Sequence, residues 1–211
     1  MSAVSNLYQV EKNATDIRNT VLTNIVKMLT ERGYLNKDQL ATNIDTIIGS
    51  EPGDNVYKVK TDKYDGDNEK LFAVRILQQK ITAVNKASGI LDFLTAYKNN
   101  KMIIVVKSMG KKAYQYIANN FPNAEIFLEE DLMINLIDHV LVPKHELLTP
   151  EEEEVFYEKF NCKKRNLPRI FSTDPVARYY NMKPGHICRI IRPSETSGYV
   201  VTYRLVVKSA A

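Results

Sequence analysis

Residues 102–106 read Met-Ile-Ile-Val-Val, five apolar side chains with no polar interruption. Side chains of a strand alternate between faces, so an unbroken apolar run must be covered on both sides. A strand of this kind needs helices above and below it. The surrounding sequence supplies them: a helix is expected from about Ala83 to Tyr97, another through Lys111–Phe121, and a further strand at Ala124–Leu128. Strands alternating with helices give an α/β layer arrangement, and the chain as a whole reads as mixed α+β and α/β.

Upstream, Ile17, Val21, Ile25 and Leu29 recur every four positions, a helical stripe that Gly33 closes. A second helix is expected over Lys37–Ile48, with Asn36 as N-cap and Leu40, Ile44 and Ile47 on its apolar face. Two strands follow, VYKVKT and LFAVRIL, separated by the polar loop DKYDGDNEK. After His139 the pattern changes. Thr149-Pro150-Glu151-Glu152 combines an N-cap, a proline at the first helical position and a capping-box glutamate. The acidic run therefore reads as a helix start rather than as a carboxylate metal site. Asp174-Pro175 repeats the device, Pro184-Gly185 makes a turn, and ICRIIR and YVVTYRLVV form a strand pair. These shifts divide the chain into 1–138 and 139–211.

Charge follows the same division. Residues 1–138 hold 17 basic and 17 acidic side chains, whereas from Lys159 onward 11 Lys or Arg face only Asp174 and Glu195. A basic block implies a polyanionic partner, nucleic acid or an acidic protein surface, or else a solvated face. No apolar run reaches the ~20 residues of a membrane span. Cys162 and Cys188 read as reduced structural thiols.

The chemistry-bearing motifs are few. Metal-dependent nucleases place a carboxylate two positions before a lysine, and no lysine here has one. Asp62, Asp65, Asp67 and Glu69 lack the closing glutamate of a calcium loop. His139, His145 and His186 have no cysteine spacing that would make a zinc site, and no phosphate or cofactor motif is present. Tyr179, Tyr180, Tyr199 and Tyr203 interleave with arginines, and packing explains them better than base stacking.

The segments HVLVPKHELL (139–148), LPRIFSTDPVARYY (167–180), GHICRIIRPSETSG (185–198) and TYRLV (202–206) resemble, in order and spacing, the C-terminal domain of the fifth subunit shared by the eukaryotic nuclear RNA polymerases, together with its archaeal counterpart. RGYL (32–35), MIIVV and LMIN (132–135) extend the likeness upstream, where the archaeal protein has no equivalent. The two-domain layout resembles that of eukaryotes, or of large DNA viruses with a eukaryote-like polymerase.

The resemblance implies a non-catalytic subunit without cofactor, small-molecule ligand or membrane. It implies an inactive, restriction-endonuclease-like N-terminal jaw beside downstream duplex DNA, and a small α/β module that assembles on the largest subunit among other polymerase subunits. Its expected place is the nucleus, or, for a virus, the virion or a cytoplasmic viral factory. On the family's jaw loop, Ser108, Gly110, Lys111 and Lys112 are the expected DNA contacts; on the C-terminal module, Arg169, Arg178, Arg192 and Glu195 are expected to meet the largest subunit. A free-standing transcription adaptor and, more remotely, a nuclease are the competing readings.

Overall fold

Every side chain from Met102 to Val106 is 0 % exposed. The strand that carries them, β3 (Lys101–Met109), lies between β2 (Leu71–Ile81) and β4 (Ala124–Leu128), parallel to both; β1 (Val56–Lys60) pairs antiparallel with the outer side of β2. The computed structural model describes residues 13–50, 55–61, 71–82, 84 and 89–208. Within it the chain divides into two compact units between Ile134 and Asn135, whereas the composition of the sequence changes at 138/139.

In the first unit, two helical layers cover the β1-β2-β3-β4 sheet. On one face, Ala73, Leu77, Met102, Ile104 and Val106 pack with Ile90, Phe93 and Leu94 of α3 (Ile90–Ala96) and with Ala113 and Ile117 of α4 (Lys111–Asn120). On the other lies α1 (Ala14–Glu31), whose Val21, Ile25 and Leu29 are fully buried. Register fixes this assignment. Glu125 pairs with Ile103, and its carboxylate accepts from both terminal guanidinium nitrogens of Arg32, just past the end of α1, at 2.9 and 2.8 Å.

The helix ends follow local chemistry. Gly33, at φ +71°, terminates α1: its N–H donates to Thr30 O and that of Tyr34 to Leu29 O, a paired closure that requires left-handed backbone. Asn36 caps a 3₁₀ turn over Lys37–Gln39, and α2 itself spans Leu40–Gly49, later than the sequence pattern suggests. The helix expected from Ala83 is described only as α3; residue 83 and residues 85–88 lie outside the described residues. A short helix, α5 (Glu129–Leu132), ends the unit, and Asn24 of α1 donates to Leu132 O at 2.7 Å.

The second unit is a four-stranded sheet ordered β5-β7-β8-β6, from Lys144–Leu147, Ile187–Ser194, Gly198–Val207 and Arg169–Phe171. β7 and β8 form its central hairpin. Phe156 of α6 (Pro150–Phe160) packs with Leu148 and Ile187, while Ala177 of α7 (Pro175–Tyr179) packs with Ile170, Cys188, Ile190 and Val206. Successive side chains of β7 thus serve opposite faces. β5 and β6, which carry no alternating signal in the sequence, complete the sheet as short outer strands. Among the described residues, no helix is long and apolar enough to cross a membrane.

Removing buried methylene groups from β3 leaves a cavity that two rigid layers cannot fill. Ile104→Ala is expected to destabilise the chain by about 2–5 kcal/mol, and Lys107→Ala, on the exposed end of the same strand, by less than about 0.5 kcal/mol, in urea unfolding.

Candidate functional site

Two surfaces correspond to the residues singled out in the sequence. The first is the junction between β3 and α4. Ser108 lies inside the strand, opposite Lys80 of β2, rather than in a loop. The N–H of Gly110 is not free for an external anion, because it donates to Ile81 O at 2.7 Å. Its backbone, at φ −73°, is one that any residue adopts; what glycine provides is space, since a Cβ there would stand 3.3 Å from Thr82 O. Gly110 therefore lets the junction pack against the end of β2.

Beyond it, Lys111 and Lys112 are exposed and open α4. Among the described residues no side chain caps this helix, and its first turn contains no acid. Two cations at the positive end of a helix dipole are each unfavourable by about 0.3–1 kcal/mol, so the arrangement suits an anionic partner. Lys107 is also exposed on β3.

The second surface belongs to the β7–β8 hairpin. Arg192 is exposed near its tip, and exposed Glu195 sits in the turn that joins the strands. Arg178 is half-buried on α7. Arg169 pairs with Leu205 near the base of the hairpin, on the face that α6 covers, whereas Arg192 shares the α7 face with Cys188 and Ile190. The four residues expected to share one interface face are thus divided: Arg192 and Glu195 come together, and Arg169 does not join them.

Two apolar residues are exposed at the hairpin end: Tyr199, expected from the sequence to pack, and Val201, which the sequence did not single out. Tyr199 is 73 % exposed and Val201 47 %. Their signal was present in the alternation of YVVTYRL, but which face is covered depends on α6. Tyr203, two residues on, is held against Phe156 and Phe160 with ring centroids 4.5 and 5.7 Å away. Tyr179 is buried and Tyr180 half-buried. Packing thus accounts for three of the four tyrosines and leaves Tyr199 outside it. Among the described residues nothing pairs with the outer edge of this part of β8, because β6 pairs only with Leu205–Val207.

Two acids of the run that starts α6, Glu152 and Glu153, are engaged structurally. Thr149 Oγ1 accepts from the N–H of Glu152, and Glu152 Oε2 accepts from that of Thr149, the capping box expected from the sequence. Glu152 also lies 3.5 Å from Arg189, and Glu153 accepts the N–H of Ile187. Glu146 binds Lys144 at 2.6 Å and Arg189 at 2.7 Å. Hydrogen bonds from Lys144 and then Arg189 hold its carboxyl below the usual range, and the bond to Glu146 raises Arg189.

Asp174 Oδ1 accepts from Val176 and Ala177, capping α7 as expected. Burial pushes the Cys188 thiol up to about 11, which makes it an inert core group. His145 is buried with Nδ1 2.7 Å from Pro143 O. Among the described residues, no three His, Cys, Asp or Glu side chains come together to hold a metal. The acidic loop with Asp62, Asp65, Asp67 and Glu69 lies outside the described residues.

Comparison with known proteins covers both units. A family model described as RNA polymerase Rpb5, C-terminal domain, matches residues 134–206. The DNA-directed RNA polymerase subunit 5 of Acanthamoeba polyphaga mimivirus is 35 % identical over 98 % of this chain and 100 % of its own length. The subunit RPABC1 of DNA-directed RNA polymerases I, II and III of Caenorhabditis elegans is 34 % identical over 90 % of this chain and 94 % of its own. Subunit 5B of the Arabidopsis thaliana DNA-directed RNA polymerases IV and V is 29 % identical over 86 % and 85 %.

Two expectations follow for the second unit. Because the folded Glu146 carboxyl titrates below its unfolded value, its contribution to stability is complete above pH ~4.3, the ordinary glutamate range, and is lost as pH falls through the lower folded value. Glu146→Gln should flatten the acid limb of a stability–pH curve there and leave the neutral plateau's slope unchanged. Asp174→Ala, which uncaps α7, should cost about 1 kcal/mol in chemical denaturation, with Asp174→Asn losing less.

Proposed function

The chain belongs to the RNA polymerase subunit 5 family, and on that premise we propose that it works as a non-catalytic subunit of a DNA-directed RNA polymerase. The observation that carries this reading is the full-length match: relatives described as polymerase subunits align through both units at 34 and 35 % identity. Catalysis by other subunits is supported by the lack of any carboxylate two residues before a lysine and by the use of Glu152 and Glu153 in capping and hydrogen bonding. No cofactor or small-molecule ligand is needed for the role.

In this reading the second unit docks on the largest subunit. The end of the β7–β8 hairpin is the favoured contact, because Tyr199 and Val201 leave exposed apolar surface on its α6 face, with Arg192 on the α7 face and Glu195 in the turn at its border, and an exposed aromatic with a charged rim suits a buried protein interface. Arg169 and Arg178 then lie at its margin. The first unit is the jaw beside entering DNA, its mixed sheet between helical layers being compatible with an inactive endonuclease-like core. Lys111 and Lys112 touch phosphates without reading sequence, Ser108 and Gly110 serving to shape the junction. The protein acts in the nucleus, or, if viral, in the virion or a cytoplasmic factory.

Docking is tested by capture of the largest subunit. Tyr199→Ala with Arg192→Glu should weaken capture at least tenfold, while Lys111→Glu with Lys112→Glu leaves it unchanged; equal capture by both would refute the hairpin assignment. In assembled polymerase, the double lysine variant should release downstream DNA at lower salt. The log–log salt slope should fall by up to about two, close to one unit for each phosphate that no longer meets a lysine. An unchanged slope in normally assembled complexes would remove the junction from the DNA path.

A further inference from the structure

We propose that the cavity beneath the first turn of α1 is a binding site for a phosphate group borne by a small molecule of about nucleotide size. The cavity holds about 480 Å³ and is formed where α1 crosses β1 and β2. Tyr57 of β1 lines it. Its register partner Val74 pairs in turn with Ile103, which puts Tyr57 on the α1 face of the sheet. The residue is 2 % exposed, yet its hydroxyl has no hydrogen-bond partner among the described residues. A buried hydroxyl without a partner is unfavourable, and a ligand acceptor would satisfy it.

Three further features converge there. Arg18 of α1 lines the cavity, and its Nε is enclosed without a partner among the described residues. Ala14 and Thr15, the first two residues of α1, also line it, and the N-cap Asn13 makes no side-chain capping bond. Among the described residues no side chain caps this turn, so the positive end of the helix lies at the cavity, a setting that favours an oxyanion. The described lining residues include one cation and no carboxylate; Asp16, in the same turn, is exposed and not part of the lining.

The far wall is irregular. Between Leu77 and Lys80 the β2–β3 register shifts, so that Gln78 and Gln79 stand opposite a single residue of β3. Both glutamines line the cavity, as does Asn55, whose backbone is left-handed at φ +57°. A lone phosphate would not fill the volume, which lies within the range of small-molecule sites. The three amides offer donors and acceptors to whatever the phosphate carries, while Arg18 and Tyr57 take its charge.

The test is a titration of the isotope-labelled full chain, followed by amide NMR, at ionic strength held constant with sodium chloride. Inorganic phosphate, adenosine monophosphate and a short DNA duplex are added in separate arms. Saturable shifts at Thr15, Arg18 and Tyr57 are expected with phosphate and, more tightly, with the nucleotide. Arg18→Gln should weaken binding about tenfold or more and Tyr57→Phe about fivefold, the latter without lowering the melting midpoint of the unliganded chain. Shifts with the duplex alone would keep the phosphate site and overturn the small molecule as its source. If no arm moves these amides beyond chloride, or if both variants bind like the unaltered chain, the site does not exist.

Discussion

The burial of β3 on both faces is the constraint on which the first unit rests. Five consecutive side chains without solvent contact require parallel partners at both edges and helical cover above and below. That requirement brings α3 and α4 to one face and α1 to the other. It also sets the chain path at the end of the strand, where Gly110 must fit against Thr82 and α4 must begin at once. The exposed lysines at this junction are therefore placed by the sheet, not by a flexible loop.

Polar groups then lock what apolar burial assembles. Arg32 and Glu125 pair in bidentate fashion with side chains 3 % and 15 % exposed, tying the end of α1 to β4. Breaking such a pair strands a charge at a cost of about 3–5 kcal/mol, far more than its formation contributes. The second unit divides its few apolar residues between two faces of one small sheet. Each face buries only a handful, and capping by Thr149 and Asp174 together with the Arg189–Glu146 pairing adds to that organisation. A module this thin leaves Tyr199 and Val201 exposed at the hairpin end.

Much of this was legible in the sequence where the signal is local. The continuous run at 102–106, the four-residue spacing from Ile17 to Leu29, and the Thr-Pro-Glu-Glu and Asp-Pro starts each report a short-range physical requirement. What depended on distant partners was not. β3 continues through the polar Lys107 and Ser108 because β2 resumes pairing after its bulge, which no local pattern reveals. β6 is three residues long, too short to alternate visibly. Arg32 and Glu125 are 93 positions apart. Arg169 and Arg192 look equivalent as basic residues of one block, and only strand register puts them on opposite faces. The α1 cavity draws on three separate segments and carries no motif at all.

The two units therefore differ in how they present function: the first offers a charged junction on a rigid sheet, the second an apolar hairpin end on a thin one. The roles proposed for both surfaces have meaning only inside a larger assembly, in keeping with a family of polymerase subunits. The most direct measurement is fractionation of extract from the cells that express the chain, following it against the largest polymerase subunit and transcription activity. The account predicts that the chain elutes with both, at a constant ratio to the largest subunit across the peak. A predominant pool of the chain in fractions that contain no polymerase subunit would contradict it.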